Sequence, residues 1–127
     1  MLTESARMNS AAEARFRIPA QPTDRNVKVI DLDTATGADV TRLVNEVPDA
    51  DLVVMLVSAG SDAQAASTIG QACSEHRVMT HAIVVRAGAA ADRELSGTLA
   101  QLRPWSLMVV VANGDDDYVE DILRSFR

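Results

Sequence analysis

Four short apolar runs, each followed or separated by a segment of helical periodicity, constrain the fold of this chain more than any other feature. The runs read VKVIDL, DLVVMLV, VMTHAIVV and SLMVVVA, at residues 27–32, 51–57, 78–85 and 106–112. The last three are apolar without alternation, as expected for strands that are buried on both faces. Strands that alternate with helices through short connections are parallel and joined by crossovers. The pattern therefore predicts an α/β domain, a three-layer Rossmann-like or flavodoxin-like fold with about four parallel strands.

The segments that follow these runs place apolar side chains on one face of a helix, at spacings close to i, i+3, i+4 and i+7. In the first of them the stripe ends at Pro48, which should stop the helix. The stripes comprise Val40, Leu43, Val44 and Val47; Ala65, Ala66, Ile69, Ala72 and Cys73; Leu95, Leu99 and Leu102; and Val119, Ile122, Leu123 and Phe126. Each predicted helix can therefore bury one face against the sheet.

The composition of the first run bears on the order of the strands. It contains Lys28 and Asp31 and is the least apolar of the four, so we expect it at an edge or half exposed, with residues 52–57 central. Short right-handed crossovers are compatible with the orders 1-2-3-4 and 2-1-3-4. The sequence does not choose between them, although it favours an order that keeps the first strand away from the centre.

Residues 1–26 differ from the regular pattern that follows them. Their sequence predicts a helix over about residues 4–16, with Met8, Ala12 and Phe16 on one stripe. The segment RIPAQPTD comes next, and its two prolines exclude regular structure there. Two interpretations stay open, a flexible tail or an arm that packs on a partner subunit. Residues 27–127 are predicted to form a single α/β domain.

Composition and charge exclude several classes of protein. Among 127 residues, 47% are apolar and 24% are charged, which is typical of one soluble globular domain. The net charge of −6 disfavours general binding to nucleic acids or anionic membranes. The single cysteine allows no internal disulfide, and residues 1–15 show no apolar core of the signal-peptide kind. We therefore expect a cytoplasmic protein with neither a nucleic-acid nor a membrane partner.

The loops after the second, third and fourth strands are the candidate ligand site, because ligands of parallel sheets bind beyond the carboxyl ends of the strands. These loops read SAGSDAQ, RAGAAADRE and ANGDDDYVED. Free amides at a following helix N-terminus favour an anion. A small ligand carrying a phosphate or carboxylate would be lined by Ser58, Gly60, Ser61, Gly88 and Asn113.

The first of these loops also has a purely structural interpretation. Ser61 is expected to cap the next helix, with Gln64 three residues on completing a capping box. Asp62 would then lie in the first turn, where a carboxylate suits the helix dipole and repels a phosphate. With one glycine and no lysine in the loop, the sequence favours a capped turn over a nucleotide site.

An acidic run near the C-terminus raises the question of a metal. Asp115, Asp116 and Asp117, with Glu120 and Asp121 close behind, are weak candidates for a hard cation that prefers oxygen ligands. Acidic residues also gather at helix N-termini for electrostatic reasons. The second explanation is the stronger one, so the sequence predicts no metal.

No catalytic group stands out among the remaining reactive residues. His76 falls near a helix end and should be solvated, whereas His81 lies within a buried strand and is expected to be a hydrogen-bonded core histidine. Cys73 lies on an apolar helix face, which indicates a buried thiol. Trp105 is expected to pack inside the domain or to anchor a protein contact. We therefore predict neither catalytic residues nor a cofactor.

Residues 42–118 resemble the later part of the GTPase domain of the FtsZ/tubulin family. The resemblance rests on RLVNEVPDADLVVMLVSAG, IGQACSEHRVMTHAIVV and LAQLRPWSLMVVVANGDD, which follow the order and spacing of helices and strands in that family. The family continues its A-G junction into a glycine-rich loop of the type G-G-G-T-G-T/S-G, whereas Ala59–Gly60 leads here into SDAQAAS. The acidic catalytic loop of the family finds no counterpart. The resemblance therefore implies the shape of the family without its GTP hydrolysis.

These observations lead to two main hypotheses. The first is a non-enzymatic binding, regulatory or accessory subunit that acts through protein contact, as a homo-oligomer such as a dimer or on a larger protein. The second is a small-molecule binder that takes a phosphate or carboxylate ligand at the carboxyl ends of the strands. A metal-dependent enzyme that uses Asp115, Asp116 or Asp117 ranks last.

Overall fold

The computed structural model describes residues 25–113 and 116–126, with the side chains of residues 116–118 and 126 outside that description. The helix predicted for residues 4–16 lies outside the described residues. The choice between a tail and an arm therefore stays a prediction.

Within the described part of the chain, four parallel strands alternate with four helices. A 3-10 turn follows each of the first and third helices and the third strand. The elements are β1 (Val27–Asp31), α1 (Gly37–Glu46), β2 (Leu52–Ser58), α2 (Ala65–His76), β3 (Met79–Val85), α3 (Asp92–Leu102), β4 (Met108–Val111) and α4 (Asp116–Phe126). This is the three-layer Rossmann-like or flavodoxin-like α/β architecture that the sequence pattern predicts.

The strands lie in the order β1-β2-β3-β4, and every neighbouring pair is parallel. Val27 aligns with Leu52, Leu52 with Met79, and His81 with Met108. The sequential order is thus the correct one of the two that the sequence allows. The expectation that the first strand lies at an edge and the second inside the sheet is confirmed. The expectation that the fourth strand is buried on both faces is wrong, because β4 lies at the other end of the strand order and its Met108 and Val111 are exposed.

The two faces of the sheet are covered unequally. On the first face, side chains such as Met55 and Val84 pack under α1, α2 and α3, together with Ile69 and Leu102. On the second face, Val54 and Ile83 pack against Val119 and Leu123 of α4. Right-handed crossovers between sequential strands place all three connecting helices on one side, so α4 is the one helix of the described residues on the other.

Two local contacts explain where the helices lie. At the start of α1, the Asp39 amide donates to Thr36 Oγ1 (3.1 Å) and the Thr36 amide donates to Asp39 Oδ2 (2.9 Å), a capping box that fixes the first turn. In α2, Gly70 is buried against Trp105, and a Cβ placed on Gly70 would lie 2.5 Å from Trp105 Cβ. Only a glycine allows this close approach, so the packing interpretation of Trp105 is confirmed.

Candidate functional site

The residues predicted to line a ligand all lie at the carboxyl edge of the sheet, but they form two groups. Ser58 ends β2, and Gly60 and Ser61 follow it in the next loop. Gly88 and Asn113 meet beyond β3 and β4, where a Cβ placed on Gly88 would lie 3.7 Å from Asn113 Cβ. The structure therefore brings Gly88 and Asn113 close together.

Backbone amides of the loop after β2 donate hydrogen bonds to other groups of the protein. The Gly60 amide donates to Thr98 Oγ1 (2.9 Å) and the Ala63 amide donates to Gln101 Oε1 (2.7 Å), which fastens the loop to α3. The Ser61 amide donates to the Ser58 carbonyl (3.0 Å). Gly60 has φ of +90°, which favours glycine. A phosphate at this loop would have to displace these hydrogen bonds, so the loop has the shape of a phosphate-binding turn without its available donors.

The predicted capping box at Ser61 is wrong. Helix α2 begins at Ala65 and is preceded by Gln64, whose side chain makes no capping hydrogen bond. Asp62 Oδ1 instead accepts from the Gln64 amide (3.0 Å) and from Gln101 Nε2 (2.9 Å). The reason is physical: Gln101 on α3 reaches this loop and draws Asp62 to it, a contact between residues far apart in the sequence.

A polar cluster that the sequence analysis did not identify lies at the ends of the first three strands. Ser58 Oγ donates to Asp33 Oδ2 (2.6 Å), and Arg86 Nη1 donates to Ser58 Oγ (2.8 Å). The Ser58 amide also donates to both carboxylate oxygens of Asp33 (3.2 Å each). We call these three residues the strand-end cluster. It links the loop after β1 to the ends of β2 and β3.

The electrostatics of the strand-end cluster favour the charged form of Asp33. Partial burial alone would raise the pKa of Asp33. The hydrogen bonds from the Ser58 side chain and amide and from the Ser61 side chain, with the positive charge of Arg86, outweigh this effect and hold the pKa below its ordinary value. Asp33 is therefore a charged carboxylate that hydrogen bonds within the protein hold in place.

A cavity of about 310 Å³ lies beside the strand-end cluster, between the carboxyl ends of the strands and α4. Its floor is apolar, and its charged lining consists of one arginine and three acidic residues. Arg86 adopts the left-handed backbone conformation, with φ of 58°, which is uncommon for residues other than glycine. The lining residues that matter for charge are Asp31, Asp33, Arg86 and Glu120. Because carboxylates outnumber the arginine, the cavity repels a multiply charged phosphate.

The acidic run near the C-terminus stays untested as a metal site. Asp115 lies outside the described residues, and the side chains of Asp116 and Asp117, at the start of α4, are not described. Among residues 25–113 and 116–126, no group of three or more His, Cys, Asp or Glu side chains is arranged to hold a metal ion.

Cys73 and His76 lie where the sequence predicts them, whereas His81 is only partly buried and is not the core histidine that the sequence predicts. Cys73 is buried on α2, and burial raises the pKa of its thiol. His76 is exposed at the end of α2. His81 is partly buried on the second face, and burial, together with the positive charge of Arg25, lowers its pKa. None of these three residues belongs to the strand-end cluster.

Asp33 and Arg86 were missed because their roles depend on contacts over long sequence separations, 25 residues for Asp33 to Ser58 and 28 for Arg86 to Ser58. A usable signal was present. Both residues directly follow strands, and the carboxyl ends of parallel strands meet at one edge. Asp33 lies outside the three loops predicted to hold a ligand, because these follow the second, third and fourth strands.

Comparison with protein-family models, curated proteins and solved structures finds no match for this chain. The resemblance to the FtsZ/tubulin family therefore stays a prediction. No helix in the described ranges is long and apolar enough to span a bilayer.

Proposed function

We propose that this protein is a non-enzymatic contact module that associates with a second copy of itself through the outer edge of β4. The observation that carries the proposal is the difference between the two edges of the sheet. At one edge, β1 includes Lys28, whose ammonium lies 3.7 Å from Glu46 Oε1, and Asp31. Charged side chains of this kind block pairing with another strand.

The opposite edge has no such protection. Strand β4 reads MVVV and has a strand neighbour on one side only in the part of the chain that the structure describes. Leu107, Met108 and Val111 are 72%, 38% and 43% exposed, respectively. An uncharged edge with exposed apolar side chains is a typical template for strand addition.

A second copy of the chain can complete this edge. A two-fold axis would pair β4 of one copy with β4 of the other in antiparallel fashion. Both copies would then use the same surface for the contact. The net charge of −6 opposes association of two copies, so they are expected to meet through a surface that adds no further contact between like charges. The β4 edge offers such a surface. With only four residues in the strand, the interface is small, and we expect a weak dimer that dissociates on dilution.

Two matched variants test this proposal. Val111→Lys places a charge on the β4 edge, and Val29→Lys places the same charge at an exposed valine of the β1 edge. Light scattering after size exclusion, over a range of concentrations, should show a wild-type dimer whose dissociation constant rises about tenfold or more in Val111→Lys, because a charged side chain on an edge strand opposes pairing with another strand. Val29→Lys should dimerise as the wild type does. A wild-type protein that stays monomeric at millimolar concentration, or equal behaviour of the two variants, would contradict the proposal.

A small ligand in the cavity beside the strand-end cluster is the second candidate function. Arg86 favours it, since its guanidinium is held at the cavity by Ser58. The carboxylates around it limit the ligand to one that brings a single anionic group. We rank this function below the contact module because the loop amides expected to hold an anion are already bonded to α3.

A further inference from the structure

The cavity beside the strand-end cluster has the position and the size of a small-molecule site. It lies at the carboxyl edge of the sheet, where ligands of parallel sheets bind. Its volume of about 310 Å³ is near the lower end for such sites, which range from about 300 to 1,000 Å³. Apolar walls come from the second face of the sheet and from α4, through Leu56, Val85, Val119 and Leu123. The cavity therefore suits a small ligand with a compact apolar part.

Arg86 brings a positive charge to this cavity and keeps hydrogen-bond donors for a ligand. Its Nη1 donates to Ser58 Oγ (2.8 Å), and none of the ion pairs among the described residues includes Arg86. A guanidinium has five N–H donors in a planar fork that matches the two oxygens of a carboxylate. Ser58 therefore holds the guanidinium at the cavity and leaves other donors for a carboxylate of the ligand.

Two carboxylates of the same cavity lie outside the strand-end cluster. Asp31 ends β1, and its Oδ1 accepts from the Asp33 amide (2.9 Å). Within the described part of the chain, the Glu120 carboxylate on α4 has no hydrogen bond and no ion pair. Asp31 aligns with Leu56, two residues before Ser58 on the neighbouring strand, so its backbone lies about 8 Å from that of Ser58. The cavity thus presents acceptors for a cation close to the donors of Arg86.

We propose that this cavity binds a small zwitterion, an α-amino acid with a compact apolar side chain. The ligand carboxylate accepts from the Arg86 guanidinium, and the ligand ammonium donates to Asp31 and Glu120. The apolar side chain of the ligand lies between the sheet and α4.

The charges of the lining favour a zwitterion over an ion of either sign. A carboxylate alone adds a negative charge to a lining that already has three acidic residues and one arginine. A cation alone meets the positive charge of Arg86. A zwitterion meets each charge with its opposite. The inference rests on the second candidate function, whose ligand class it specifies, and is independent of association through β4.

Calorimetric titration of the purified protein with three matched compounds tests the inference. L-leucine carries both charges, isocaproate lacks the ammonium, and isoamylamine lacks the carboxylate, while all three share the same branched apolar end. We expect the dissociation constant of L-leucine to be about tenfold or more below that of either analogue. Each analogue leaves one charged group of the cavity without its hydrogen-bonding partner, and such a bond is worth about that factor.

Two matched substitutions assign the effect to the cavity. Glu120→Gln removes a negative charge from the cavity lining, and Glu75→Gln removes the same charge from an exposed position on α2. We expect Glu120→Gln to weaken L-leucine by about threefold to fivefold without weakening isocaproate. Glu75→Gln should change neither dissociation constant.

Each other outcome counts against the inference. Equal dissociation constants for L-leucine and isocaproate would show that the ammonium is not recognised, and would leave a ligand with a single anionic group as the second candidate function. A lack of binding by all three compounds and by the smaller L-alanine at about 10 mM would overturn both. Equal weakening by Glu120→Gln and Glu75→Gln would assign the effect to net charge. The affinities should be the same in Val111→Lys, so a failure of dimerisation at β4 is distinguished from a failure of this site.

Discussion

Replacing Gly70 by alanine should destabilise the protein although it improves the helix. Alanine is favoured over glycine inside a helix by about 1 kcal/mol. At Gly70 the added methyl would lie 2.5 Å from Trp105 Cβ and 2.9 Å from Trp105 Cγ and Cε3. Trp105 must therefore move by about an ångström, and overpacking of this kind costs about 1–3 kcal/mol. The two terms leave a net loss of about 1 kcal/mol in the free energy of unfolding.

Gly97 supplies a matched control for this substitution. It lies within α3 and is exposed, and a Cβ placed there meets nothing within 4 Å. Gly97→Ala should therefore keep the favourable helical term alone and stabilise the protein by about 0.5–1 kcal/mol. The two glycine-to-alanine changes should differ in sign and by about 2 kcal/mol, provided that the overpacking cost lies within its usual range.

Urea unfolding followed by circular dichroism and by tryptophan fluorescence measures both free energies. Trp105 is the sole tryptophan of the chain, so its native emission should shift in Gly70→Ala and stay unchanged in Gly97→Ala. A Gly70→Ala protein as stable as the wild type, with unaltered emission, would refute the close packing of Trp105 on α2.

Two further predictions concern the strand-end cluster. The pKa of Asp33 is lower in the folded protein than its ordinary value of 3.8, so its stabilisation is present above that value and is lost as pH falls through the folded pKa. Asp33→Asn should accordingly flatten the decline of unfolding free energy between about pH 5 and pH 2, and an unchanged decline would contradict the pairing of Asp33 with Ser58 and Arg86. The small-ligand function predicts that millimolar acetate raises the melting temperature of the wild type and not of Arg86→Ala. No rise at about 10 mM acetate would remove that function, because a ligand specific for the folded state must stabilise it.

The regular part of the fold could be read from the sequence because it depends on local patterns. The uninterrupted apolar run of β2 and the stripe from Val40 to Val47 each specify an element through residues that are neighbours in the chain. The position of β1 at an edge followed from Lys28 and Asp31. The sequential strand order was left open because both orders satisfy the same short connections.

The details of the candidate site could not be predicted in the same way. The residue before α2 is Gln64 and not the predicted cap Ser61, and Asp62, predicted to lie in the first helical turn, is bound by Gln101 of a later helix. Arg86 became part of the strand-end cluster through Ser58 of the neighbouring strand. Both outcomes depend on which side chains the folded sheet brings together, and such contacts leave no periodic trace in the sequence.

The one-sided placement of the three connecting helices accounts for the cavity beside Arg86. When strands are laid down in sequence and each crossover turns the same way, the loops leaving β1, β2 and β3 all depart toward one side of the sheet. The space above the other side then has no helix of its own until α4 arrives from the far edge. The cavity between α4 and the carboxyl ends of the strands is therefore a consequence of the sequential strand order. A sheet whose strands were added in both directions from the middle would have a connecting helix in this space.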